Sequence, residues 1–241
     1  MPDKLRSALT AALMVAPMIS SATAMPGQGT WETTLGARDL NHDGVTDAFY
    51  DKTLNLTWLA SLGRTQVEWT TANAWAQSLQ VGGQSGWRLP TVTPTSSCAY
   101  SAAGSTDCGA NVNVFDPATG HVASEVAHLW YVTLGNKAHA EPGTGMPMQQ
   151  GWGLSNTAQF QNMTDATLLW SNADAADTTL AWYFDLGLGT QNVGRRYFSM
   201  SAPAVHDGDV AAVPEAPALG MGFGGLGLDW GARRRQRRSR G

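Results

Sequence analysis

The chain has 241 residues and a mass of 25.6 kDa, enough for one sizeable domain or two small ones. Charged residues make up only 14%, while Gly (27) and Trp (10) are abundant, which argues against a helical bundle and for a loop-rich domain with aromatic anchors. Residues 25–213 hold 7 basic and 16 acidic side chains, a balance of −9, and a body that acidic does not follow phosphate backbones, so nucleic acid is excluded as a partner.

Residues 1–24 carry a basic start (Lys4, Arg6), an apolar stretch from Ala8 to Ile19 and the small-residue triplet Ala22-Thr23-Ala24. These are the three parts of a secretory signal peptide. The mature chain is then expected to begin near Met25, with one domain over residues 25–210. Gln28 to Leu35 reads as a short strand or arm. Asp39, Asn41, Asp43 and Asp47, with Gly44 after the third, reproduce the first part of a calcium loop, in which alternate positions aim oxygens inward. The twelfth position is Tyr50 rather than a bidentate Glu, so the segment reads either as a calcium site or as an Asx-rich turn between two strands. Calcium is the one cofactor the sequence raises.

Ala48–Asp51 and Leu54–Leu59 read as a hairpin, with Leu54, Leu56 and Trp58 alternating onto one face. A helix is expected from Trp69 to Gln80, capped by Thr70 or Thr71, with Trp69, Ala72, Trp75, Ala76 and Leu79 on its apolar face. Gly86-Trp87-Arg88-Leu89-Pro90-Thr91 follows as an organising turn. Gly86 permits positive φ, Trp87 offers a large ring and one donor, and Arg88 brings five fixed donors that tie loops together. Pro90 holds Leu89 extended.

Cys98 and Cys108 bracket a Ser- and Gly-rich stretch, and two cysteines in an exported chain read as one disulfide holding a surface loop. Closing a ring this small stabilises by about 3 kcal/mol in the chain-entropy model. Glu125–Tyr131 reads as a second helix, where Glu125 and His128 share a face as a surface or core-edge pair, or as half of a carboxylate-bridged metal pattern. Residues 135–165 form a long loop region expected to tuck Trp152 underneath. Strands are expected at Leu168–Ser171 and Leu180–Leu186, the latter pairing across a 187–190 turn with Arg195–Met200. Asp207–Val213 reads as an exit linker.

The C-terminal segment 211–241 places Val213-Pro214-Glu215 before a Gly- and Leu-rich run, Ala216–Ala232, and a cluster of arginines. It resembles a PEP-CTERM sorting tail, which implies handling by exosortase-type machinery and a membrane contact before processing. Ala216 separates Glu215 from Pro217, and Asp229 interrupts the run near its basic end, where an acid can sit at the interface. The alternative is a disordered basic tail.

Asn55-Leu56-Thr57-Trp58-Leu59, Thr71-Ala72-Asn73-Ala74-Trp75-Ala76, Gly86-Trp87-Arg88-Leu89-Pro90-Thr91, Glu125-Val126-Ala127-His128-Leu129 and Ala181-Trp182-Tyr183-Phe184 occur in one order along residues 36–210. Together they resemble the Lcl C-terminal domain family, named for the terminal domain of a collagen-like bacterial adhesin. The resemblance implies an α+β, C-type-lectin-like fold: a mixed or antiparallel sheet with two helices and long loops. It also implies an exported protein of the bacterial cell envelope, outer surface or extracellular matrix. The adhesin's glycan binding leans on basic surfaces, so sulfated glycans are not carried over to this acidic body. Phe198-Ser199-Met200-Ser201 replaces the family's usual last strand, so the sheet's closing edge is expected to differ.

Three functions compete on this reading. The first is a non-catalytic binding protein associated with extracellular polysaccharide, with the loop-borne Trp152 and Tyr100 either stacking on sugar or buried in the core. The second is a structural matrix component without a small ligand. The third is an enzyme of the formylglycine-generating type. Against it, the chain has only Cys98 and Cys108, its five histidines lack metal-ligand spacing, and no Gly-x-Ser-x-Gly, His-Glu-x-x-His or phosphate loop occurs.

Overall fold

Ten short strands and three helical segments make up the domain in the computed structural model, which describes residues 24–63, 66–96, 98–175 and 177–210. Residues 1–23 of the expected signal peptide and the expected sorting motif Val213, Pro214 and Glu215 lie outside the described residues. The Gln28–Leu35 region is a helical turn, α1 (Trp31–Thr34), running into strand β1 (Leu35–Arg38). The expected hairpin forms from β2 (Ala48–Asp51) and β3 (Leu56–Leu59), antiparallel with Phe49 opposite Trp58. β3 is buried on both faces rather than one. Leu56 and Trp58 enter the main core, Leu59 packs in the cluster around Trp87, and Thr57 Oγ1 donates to Gly208 O at 2.7 Å.

After β4 (Gln66–Val67), helix α2 spans Trp69–Ser78. Its cap differs from the expected threonines. Glu68 occupies the N-cap without a side-chain bond, and the Trp69 N–H instead donates to Arg196 O at 2.9 Å. A tertiary contact thus satisfies what a side chain usually would. Ala72 and Ala76, one turn apart, are fully buried against Trp170, Ala181 and Met200. Small residues there let the helix sit close to the sheet. The chain turns at Gly82 (φ 55), where any Cβ would strike the Leu40 backbone.

β5 is Gly109–Ala110, and the second expected helix is a turn of α-helix, α3 (Glu125–Ala127), widened into a π-helical turn over His128–Thr133. Ser124 Oγ caps α3 by accepting from the Ala127 N–H at 3.2 Å. No helix or strand lies between Thr133 and Leu168. Then come β6 (Leu168–Asp174), β7 (Leu180–Asp185), β8 (Thr190–Arg195), β9 (Met200–Ser201) and β10 (Val205–Asp207). β7 pairs with residues 190–195 and not 195–200, because the turn sets Asp185 opposite Thr190 and Leu180 opposite Arg195. Tyr197 and Phe198 are left exposed in the following turn. Asp207 belongs to a strand and not to an exit linker.

The strands form two sheets, ordered β1-β2-β3-β10 and β4-β9-β6-β7-β8-β5, antiparallel except where β6 meets β9. The architecture is α+β, mostly sheet with few helices. The segment 200–207 passes from one sheet to the other. Its Ala202 and Ala204 are buried, and Ala204 O accepts the Leu59 N–H at 2.9 Å. Trp58, Leu129, Trp130, Phe160, Leu169 and Phe184 fill the main core. Each large side chain contributes about 1.5–3 kcal/mol by leaving water.

One buried group is an imidazole, a side chain whose unperturbed pKa lies near neutrality. His128 is 1% exposed beneath the Phe115 ring, with Nδ1 3.4 Å from Thr133 Oγ1, which in turn donates to Asp51 Oδ2 at 3.0 Å. Burial lowers its pKa below the ordinary 6.5, and the Asp51 charge opposes that only in part. The unfolded chain therefore takes up a proton as pH falls through 6.5 while the folded chain does not. Stability is full above that value and declines as pH drops toward the lowered folded value. Thermal melts from about pH 7.5 to about pH 5 should show a falling midpoint, and His128→Gln should flatten that fall.

Candidate functional site

Arg88 is the most connected side chain of the turn that the sequence singled out. Nη1 and Nη2 donate to Glu125 Oε2 and Oε1 at 2.9 and 2.8 Å, a bidentate pair, while Nε and Nη2 both reach Asp207 Oδ1. Nη1 also donates to Leu89 O and Thr91 Oγ1. The Arg88 backbone exchanges two 2.8 Å hydrogen bonds with Val205, and Thr91 N–H donates to Glu125 Oε2 at 2.7 Å. Burial works against the guanidinium charge, but the bonds to Glu125 and Asp207 outweigh it and raise the Arg88 pKa further. Trp87 is buried with Nε1 on Gln84 O at 3.1 Å, Leu89 is buried, and Pro90 O accepts the Asn172 N–H. Glu125 is thus a partner of Arg88, while His128 is buried in the core.

Cys98 and Cys108 are bonded to each other. Cys108 packs on Val92 and Trp182, and the buried Asp107 beside it accepts from Thr95 N–H, Thr95 Oγ1 and Ser96 N–H at 2.6–2.7 Å. The loop they close carries Tyr100, 58% exposed. Asp39, Asn41, Asp43 and Asp47 gather around one turn and bond its backbone. Asp39 accepts from the Asp43 and Gly44 N–H, Asn41 from Asp43, Asp43 from Val45, and Asp47 from Leu40. Among the described residues no three His, Cys, Asp or Glu side chains converge as a metal site.

Trp152 stands apart from these. It is 41% exposed and not tucked beneath the loops. Gly151 and Gly153 flank it with φ of 72° and 99°, and Gly153 N–H donates to Lys137 O at 2.9 Å, which pins the backbone while the ring stays outside. The ring lines a groove of about 360 Å³ with Leu154, Ser155, Asp165, Asp185 and Leu188. His139 lies edge-on to it, centroids 6.4 Å apart. Asp185 Oδ1 accepts from the Gly187 and Leu188 N–H at 2.9 and 3.0 Å, fixing the β7–β8 turn that forms one wall. Asp165 is exposed, and its carboxylate has no hydrogen-bond partner among the described residues. Trp152, Asp165 and Asp185 thus line one groove, with no lining Lys or Arg. Tyr100 does not line it.

Comparison with family models, curated proteins and solved structures gives no match at any of the three. Asp165 and Leu188 carried no signal in the sequence beyond their lying in or beside loops. Asp185 did: an Asp two residues before Gly, at a strand end, is an Asx-turn pattern.

The Arg88 pairs should differ in weight. Glu125 is 17% exposed and Asp207 77%. Arg88→Ala, which leaves Glu125 unpaired, should cost about 3 kcal/mol, and Arg88→Lys should recover less than half because it lacks the fork. Asp207→Asn should cost under about 1 kcal/mol. Urea unfolding of the three variants checks this order.

Proposed function

We propose that this protein is an exported, non-catalytic binding module of the bacterial envelope or extracellular matrix, lectin-like in fold, that takes carbohydrate in the Trp152 groove. The exposed Trp152 ring beside Asp165 and Asp185 carries the reading. An aromatic face packs on the apolar C–H face of a sugar ring, and carboxylates accept from its hydroxyls. A large apolar ring left in water beside a polar groove is the kind of exposure that marks a ligand surface. The signal-peptide pattern and sorting-tail resemblance supply the route: export, then exosortase-type handling at the membrane, then residence among surface polysaccharide.

Two carboxylates in one groove also suit glycoside hydrolysis. That chemistry needs one acid in an apolar enclosure that keeps it protonated. Asp165 is solvent-exposed, and Asp185 Oδ1 is taken up by two backbone N–H groups of the turn, so neither sits in such an enclosure. Binding is therefore preferred to cleavage.

On a glycan array the protein should retain a subset of neutral or amino-sugar polymers, and Trp152→Ala should weaken that binding about tenfold or more while its melting point stays close to the parent's. No retention of any glycan would overturn the reading. Mass spectrometry of the protein recovered from cell fractions should place the first residue near Met25 and the last before the arginine cluster; an intact chain in the cytosol would sink the export half.

A further inference from the structure

We propose that the Trp152 groove selects amino sugars whose amino group is free and protonated, with Asp165 as the pairing carboxylate. This rests on the carbohydrate reading above. Three observations carry it. The ionisable side chains that line the groove are Asp165 and Asp185, with no Lys or Arg beside them. Asp185 Oδ1 is already taken by two turn N–H groups, whereas Asp165 is exposed and unbonded among the described residues, so Asp165 is the group free to meet a ligand cation. Trp152 supplies a ring face that attracts both a C–H face and an ammonium group, so a charged amino sugar satisfies ring and carboxylate together where a neutral sugar satisfies the ring alone. The domain's −9 balance repels uronic and sulfated chains in the same sense. Two other groups neighbour Trp152. Lys137 meets Gly153 through its backbone, and His139 turns its ring nitrogen Nδ1 toward Leu188 O at 3.3 Å.

Calorimetry of the full chain against glucosamine oligomers, N-acetylglucosamine oligomers and glucose oligomers of equal length tests this. Glucosamine oligomers should bind about tenfold tighter than either neutral series, and the advantage should shrink as salt rises. Asp165→Asn should abolish the advantage, while Glu68→Gln, an exposed acid at the start of α2, should keep it and so separate local pairing from overall charge. Equal affinity for charged and neutral oligomers, or an advantage that survives Asp165→Asn, overturns the inference and leaves the carbohydrate reading standing. Tetralysine binding as tightly as the glucosamine oligomers overturns the sugar selectivity. Binding of no oligomer removes the carbohydrate reading and this inference with it.

Discussion

The guanidinium of Arg88 binds together three stretches of chain that are far apart in sequence: its own turn, the start of α3 at Glu125, and the β10 strand at Val205–Asp207. Burying a charge this far is unfavourable unless its donors are met, and here the fork is met by a bidentate carboxylate. Removing the acceptor costs more than forming the pair gains, so the contact acts mainly on register. It fixes where α3 begins, and therefore which residues of the next turn enter the core. Trp87 and Leu89, on either side, occupy two different apolar clusters. The same turn thus joins the α2 layer to the β3–β10 edge.

Consequences run from there to the groove. α3 and its π-helical extension carry Trp130 and Tyr131 under the β7–β8 turn. Trp130 Nε1 donates to Leu186 O at 3.1 Å, and Tyr131 Oη donates to Gly189 O at 2.6 Å. Gly189, with φ 60, lies so close to the Trp130 ring that a side chain there would collide with it. Burial pushes the Tyr131 phenol well above its usual range, so it stays a neutral donor. The opposite wall is the long loop, which is irregular without being unsupported. Asn136 Oδ1 accepts from the Ser155 and Asn156 N–H, and Asn156 Nδ2 donates to Leu134 O at 2.8 Å. Both walls are held by hydrogen bonds from beneath, and a groove held open this way loses little ordering entropy when a ligand enters.

Local patterns were legible where local physics decides. The β2–β3 hairpin, α2, the β6 and β7 strands and the Cys98–Cys108 bond all follow from alternation, helical spacing or cysteine pairing. Failures occur where a distant segment overrides the local signal. The α2 cap is Arg196 O rather than a threonine, β3 is covered on both faces, and β8 starts at Thr190 because register outweighs the aromatic run after it. Trp152 illustrates the limit most clearly. Its loop composition suggested a buried ring, whereas the ring is 41% exposed on a backbone held by the Gly153–Lys137 pairing.

The sequence by itself determined an acidic, tryptophan-rich chain, the pairing of its two cysteines and a Trp-Arg-Leu-Pro turn able to tie loops, because composition, period and spacing are properties of neighbouring residues. It could not decide that Glu125 and Asp207 would be the partners of Arg88, that the strands would divide into two sheets, or that Asp165, Asp185 and Trp152 would share one groove. Those facts depend on contacts across 13 to 119 positions, and such contacts form only when the whole core closes around them.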